Sequence, residues 1–204
     1  MQAEREAGTT PARTFTEAGR RAQIVAAAIE TIADVGYANA SFARIASRAG
    51  LSSTGLISYH FASKGALMAQ VADETYAAIG KHMAARMSGA QAPAQALEAY
   101  IRGIIEFIAA HRRPMKAVLE IFMNGGIQYT PGTDLVVLSP VEEILRAGQS
   151  AGEFREFDVR VMAAVIQRSI DGLPFLLETH PDIDIDGYAD ELVTTFTLAT
   201  RRVP

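Results

Sequence analysis

Apolar residues recur at helical spacing in one segment after another, with Gly or Pro between the segments, and this punctuated period limits the folds open to the chain. Val25, Ala28, Ile29, Ile32 and Val35 mark one face of a segment from about Arg20 to Val35, closed by Gly36. Leu97, Ile101, Ile104 and Ile108 do the same between Ala94 and Ala110. Residues three and four apart share a face on a helix, whereas a half-buried strand needs strict alternation. Alternating β-branched runs are scarce, so the sequence predicts an all-α protein. Its 204 residues, 49% hydrophobic, suffice for one domain or for a small domain fused to a larger one. The absence of cysteine excludes disulfides and thiolate metal sites.

The first helices are short and close together. Ser41 reads as the N-cap of a second helix whose inner face holds Phe42, Ile45, Ala46 and Ala49, and Gly50 ends it. Ser52 reads as the cap of a third, from Ser53 to about His60, with Leu56 and Ile57 available for the core. Joined by Ala49-Gly50-Leu51, this pair has the proportions of a helix-turn-helix. Longer helices are predicted over Lys64 to Met87, Ala94 to Ala110, Met115 to Met123, Pro140 to Gln149, Asp158 to Glu178 and Asp186 to Arg201. Gln128 to Leu138 reads as loop, and Asp186 as the cap of the last helix. No run of about 18 uninterrupted apolar residues occurs, and the polar start lacks the apolar core of a secretion signal. The expectation is a soluble, cytoplasmic protein without membrane contact.

The formal net charge of −4 is unevenly spread. Residues 1–64 carry seven Lys/Arg against five Asp/Glu, and residues 65–204 carry twelve against eighteen. The 38 residues between Asp34 and Asp73 hold no carboxylate, where the average of 23 in 204 would put about four. A surface free of acids suits a phosphate-bearing partner.

Within that stretch stand Gly36-Tyr37, Ser41-Phe42-Ala43-Arg44-Ile45-Ala46, Ala49-Gly50-Leu51-Ser52, Ile57-Ser58-Tyr59-His60-Phe61 and Ser63-Lys64. In this order and spacing they resemble the TetR family of transcriptional regulators over residues 20–70. The run from Ser52 to Phe61 is one residue longer than the common family pattern, and Ser58 stands where many members carry tyrosine. The resemblance implies an N-terminal three-helix helix-turn-helix DNA-binding domain followed by a larger helical ligand-binding and dimerisation domain. It divides the chain into a flexible arm (1–19), a DNA-binding domain (20–64) and a ligand-binding and dimerisation domain (65–204). It also implies a homodimer on double-stranded DNA at a near-palindromic operator.

The chemistry of the stretch agrees. A helix entering the major groove must be slim at its leading end, and Ser53, Thr54 and Gly55 allow close approach while the hydroxyls bond to base edges or phosphates. Tyr59 and His60 are donors for phosphate oxygens, and Lys64 lies where the free N–H groups of a helix start also favour phosphate. Arg44 extends the basic surface, and Ser41 and Ser58 complete the predicted DNA-binding set. Further along, Tyr76, Met83, Tyr100, Ile104, Phe107, Met115, Phe122 and Met123 form an adaptable aromatic and methionine set, the expected lining of a ligand pocket. The last helices carry Val161, Val165, Ile166, Phe175, Leu192 and Phe196, more apolar side chains than one subunit easily hides, and these are the expected dimer interface.

No HExxH, GxSxG, GxGxxG or P-loop motif occurs, so no catalytic residue and no enzymatic activity are expected. Asp182, Asp184, Asp186 and Gly187 begin like a calcium loop, but Val193 stands where a bidentate Glu is needed. No metal or cofactor is therefore expected. The sequence predicts a ligand-responsive DNA-binding regulator, a repressor released from its operator by a small apolar or amphipathic molecule. The alternative is a helical adaptor or oligomerisation module without specific DNA binding.

Overall fold

The structure is a computed structural model that describes residues 11–127 and 131–202. Its elements are α1 (Pro11–Asn39), α2 (Phe42–Arg48), α3 (Gly55–His60), α4 (Lys64–Met87), α5 (Pro93–Ala110), α6 (Arg112–Met123), α7 (Pro131–Ser150), α8 (Val159–Asp171), α9 (Leu173–Thr179) and α10 (Ile185–Thr200). Among the described residues extended structure is limited to an isolated bridge between Phe154 and Arg201, so the fold is all-α. No described helix is long and apolar enough to cross a membrane.

Two apolar clusters organise the helices. The first joins Ile24, Ala28 and Ile32 of α1, Ile45 and Ala46 of α2, Ile57 of α3, and Leu67, Met68 and Val71 of α4. Ala117, Val118 and Ile121 of α6 complete it. Packing therefore runs past residue 64, because α1 with two short helices, α2 and α3, buries too little surface to close a core alone. The second cluster joins Ile101 and Ile105 of α5, Val141 and Leu145 of α7, Ile166 and Ile170 of α8, Leu173 of α9 and Phe196 of α10.

Local signals set many of the helix ends. The Ser41 hydroxyl accepts the Arg44 N–H at 3.3 Å and caps α2. Gly50, at φ 65°, turns the chain out of α2 while the Leu51 N–H reaches back to the Ala46 carbonyl at 2.9 Å. The Ser63 hydroxyl accepts the Ala66 N–H at 3.1 Å and starts α4.

Other boundaries differ from the sequence reading. Helix α1 begins at Pro11 and takes in residues expected as a flexible arm; Pro suits the first helical position, and the turns that follow extend a helix whose apolar stripe starts only at Ile24. Helix α3 starts at Gly55 with Thr54 as its cap residue, so Ser52 is not the cap. Helix α6 starts at Arg112 and holds Pro114 in its first turn, where its missing N–H costs nothing. Helix α7 starts at Pro131, which makes helix of most of the expected loop and places Pro140 inside the helix; residues 128–130 of that loop lie outside the described residues. The helix expected over 158–178 divides at Gly172, where Pro174 cannot donate back into α8. Asp184, not Asp186, caps α10, since its carboxylate accepts the Gly187 N–H at 3.1 Å.

Candidate functional site

Helix α3 lies at the surface of the first cluster. It is anchored by Ile57 at 0% exposure, with Phe61 at 3% just beyond its end. Ser53, Thr54, Gly55 and Ser58 are exposed, and Tyr59 projects furthest, 74% exposed. The Ser58 hydroxyl donates back to the Thr54 carbonyl at 3.4 Å, and the Tyr59 ring meets the half-buried His60 ring edge-on, centroids 5.1 Å apart. Ser41 and Arg44 of α2 are exposed as well, with the Arg44 guanidinium donating to the Asn39 carbonyl at 3.3 Å. These side chains therefore form a polar surface with an arginine on it and no acid.

Arginines from α1 and α2 brace this surface. Arg21 donates to the His60 carbonyl at 3.0 Å and to the Gln70 side chain at 2.6 Å, and lies 4.4 Å over the Phe61 ring. Arg48 pairs with Asp34. Arg113 of α6 also binds Asp34, at 2.5 Å, and its hydrogen bond is the leading reason that the Asp34 carboxyl sits below the usual carboxylate range. Lys64 is half-buried: its ammonium donates to the Tyr37 carbonyl at 2.7 Å and lies 4.2 Å from the Tyr37 ring centre. Burial lowers its pKa. An ammonium has three donors, so this one bond leaves two N–H groups for a phosphate. No local pattern points from Lys64 to Tyr37, because the two residues meet only where α1 ends against the start of α4.

The larger body holds a cavity of about 940 Å³ that is open to solvent on one side, where Met123 and Phe175 are exposed. Helix α4 supplies Tyr76, Ile79 and Met83 to its wall, α5 supplies Tyr100 and Ile104, and α6 supplies Met115, Leu119, Phe122 and Met123. Of the residues expected to line a pocket, Phe107 does not: it is 2% exposed and stacks on the His111 ring at 4.1 Å. Tyr100, Ile104 and Ile108 share the cavity face of α5, and Phe107, about 20° beyond Tyr100 at the edge of that stripe, packs against the His82 and His111 rings instead. The sequence reading missed a polar chain in the wall. The Tyr100 hydroxyl donates to Gln167 at 2.9 Å, the Gln167 amide donates to Asp171 at 2.8 Å, and Arg168 binds the other Asp171 oxygen at 2.8 Å. Burial pushes up both the Asp171 carboxyl and the Tyr100 hydroxyl. Mostly apolar walls with one polar corner suit an oriented amphipathic molecule.

The model of the family described as "Bacterial regulatory proteins, tetR family" matches residues 24–71. The HTH-type transcriptional regulator BetI of Cronobacter sakazakii is 33% identical over 175 residues, covering 78% of this chain and 84% of the relative. The chain belongs to the TetR family. BetI 1 of Chromohalobacter salexigens is 37% identical over 101 residues, 49% of this chain and 50% of its own length. AibR, solved in complex with isovaleryl coenzyme A and operator DNA, superposes with a TM-score of 0.73 at 17% identity, covering 86% of this chain and 97% of AibR. That likeness shows the fold. TetR-family members are ligand-responsive, DNA-binding transcription regulators and not enzymes, and this chain is a regulator of that kind.

For a TetR-family chain the face of the last helices matters next. Val161 is 60% exposed, Val165 50% and Leu198 53%, large apolar side chains facing outward, while Phe175, 49% exposed, also borders the cavity. Leu192 is half-buried against the second cluster. Two expected interface residues do not belong to this face. Ile166, 0% exposed, and Phe196, 4% exposed, are core, because Ile166 is turned about 100° from Val165 on α8 and Phe196 belongs to the second cluster, where α10 packs on α5.

Proposed function

We propose that this TetR-family regulator is a cytoplasmic homodimeric repressor of a near-palindromic operator, released when a small apolar or amphipathic molecule enters the cavity. In this reading residues 20–64 are the DNA-binding domain and residues 65–204 bind the effector and the second subunit. Ser53, Thr54 and Gly55 enter the major groove, Ser58 follows them, and Ser41, Arg44, Tyr59, His60 and Lys64 hold phosphates. A six-residue reading helix contacts too few bases for specificity, so a second copy supplies the other half-site, about one helical turn away. The outward apolar face of Val161, Val165 and Leu198 supports that pairing.

The observation that carries the regulatory part is the course of α4. This 24-residue helix begins at Lys64, beside the reading helix, and continues to Met83 and Met87 in the cavity wall. Its length, about 36 Å at the usual rise, makes it a lever between the two sites. A molecule that tilts it changes the separation of two reading heads. Selection from random-sequence DNA should enrich an inverted repeat bound by a dimer. Metabolite pools should then yield a compound that lowers DNA affinity by about 5- to 150-fold, with DNA weakening that compound's binding by the same factor. A selection that enriches no sequence would overturn specific DNA reading and favour a helical adaptor.

A further inference from the structure

Helix α6 has two faces, and the cavity uses one of them. Met115, Leu119, Phe122 and Met123 face the cavity. Arg113, Ala117, Glu120, Ile121 and Asn124 follow the opposite stripe, toward α1, in the most extensive contact between any two helices. Near the start of α6, Arg113 pairs with Glu30 and Asp34 of α1. Near its end, a Glu120 carboxylate oxygen accepts the backbone N–H of Tyr37 at 3.1 Å. The Asn124 side-chain amide lies 3.4 Å from the same oxygen.

The chain is shaped for this contact. Gly36 leaves the helical path at φ 77° and ψ 161°, and the next N–H, that of Tyr37, turns to Glu120. A Cβ at Gly36 would stand 3.3 Å from the Glu120 oxygen, and one at Gly126 would stand 2.5 Å from the Tyr37 ring. Tyr37 is thus enclosed by the end of α6. From its other side the Lys64 ammonium binds its carbonyl and covers its ring. One residue therefore connects a helix of the cavity wall to the lysine that follows the reading helix.

We propose that Glu120 is a positioning residue that carries cavity occupancy to the DNA-reading surface through Tyr37 and Lys64. The proposal rests on the regulatory reading above and gives it a second route, separate from the tilt of α4. A molecule pressing on Leu119 or Phe122 moves α6 as a rigid rod, and Glu120 on the far face moves with it. The Tyr37 N–H follows through a charge-assisted hydrogen bond, and the Lys64 ammonium follows the Tyr37 carbonyl.

The test replaces the unidentified effector with a side chain. Leu119→Trp grows into the cavity from α6, and Gly80→Leu grows into it from α4, where a Cβ meets nothing within 4 Å. The probe is the duplex that the wild-type chain enriches from random DNA, titrated by fluorescence anisotropy. Leu119→Trp should change its affinity by about 5- to 150-fold in the wild-type background. In a Glu120→Ala background the change should shrink to the part that the tilt of α4 carries, a drop larger than the roughly twofold scatter expected of independent sites. Glu120→Gln, which keeps an acceptor for the Tyr37 N–H, should restore most of it. An equal change in all three backgrounds would overturn the proposal, leaving α4 as the whole connection and Glu120 as a structural contact. No change from Leu119→Trp or from Gly80→Leu in any background would overturn the regulatory reading itself, and this route with it. If Leu119→Trp does not fold, Gly80→Leu enters the same set of backgrounds with the same expected outcomes.

Discussion

The two apolar clusters are built from different residues and do different work. The first contains seven buried alanines, Ala27, Ala28, Ala40, Ala46, Ala49, Ala72 and Ala117, which bring the helix backbones close and leave little room to rearrange. The second contains two, Ala163 and Ala189; beside its Ile, Leu and Phe side chains, Met83 and Met115 flank a cavity of about 940 Å³. Small residues make a stiff head, and flexible side chains around empty space make an adaptable body. A regulator needs both, because a reading surface must keep its shape while a ligand site changes its own.

The harshest test of this contrast is a charge in each half of the last helices. Phe196→Asp should leave the chain unfolded, since it places an unpaired carboxylate in the second cluster, whereas Val165→Asp should give a folded monomer. Circular dichroism with light scattering separates the two, and a folded dimer from either variant breaks the assignment of faces. Next in size, Ile32→Ala should cost about 2–5 kcal/mol in denaturant unfolding. Met83→Ala, on a half-buried residue that already borders space, should cost about 1 kcal/mol. Equal losses would show that the head is no more tightly packed than the body.

Smaller effects sharpen the picture at the reading surface. Tyr59→Phe should weaken binding to all DNA sequences by about 1 kcal/mol, roughly fivefold, without changing the melting temperature. A loss confined to the selected sequence would move Tyr59 from phosphate to base. Arg44→Ala should reduce the slope of log affinity against log salt by about one, measured by gel shift.

The smallest effects are slopes of stability with pH, and they have opposite signs in the two regions. In the head the Asp34 carboxyl is lowered below 3.8, so it binds its proton more weakly folded than unfolded. Its contribution is present above that pH and lost as pH falls through the folded pKa. In the body the Asp171 carboxyl is raised above 3.8 by burial, so the folded chain binds the proton more tightly. Stability from Asp171 is therefore largest below 3.8 and falls as pH rises through the folded pKa. Asp34→Asn and Asp171→Asn should each erase its own slope in melting temperature against pH, and slopes of the same sign would break the comparison.

What could be read from the sequence was what is local to a helix or a turn. The 3.6-residue period of Leu97, Ile101, Ile104 and Ile108, the cap at Ser41 and the turn at Gly50 depend on residues a few positions apart, and they placed α2 and α5 nearly to the residue. Helix α7 failed because its early turns show no such stripe and Pro140 resembles a start. The exposure of Ser53, Thr54, Gly55 and Ser58 around buried Ile57 was also legible, since small polar residues beside one apolar anchor mark the outer face of a short helix. Tertiary structure alone decided which apolar residues of α8 and α10 are core, that Lys64 rests on Tyr37, and that Gln167 and Asp171 form a polar corner in an apolar wall. It also decided that α6 faces the cavity with Leu119 and α1 with Glu120. Periodicity shows that a helix has faces, but which neighbour each face meets depends on how helices far apart in sequence cross, and no local spacing records that.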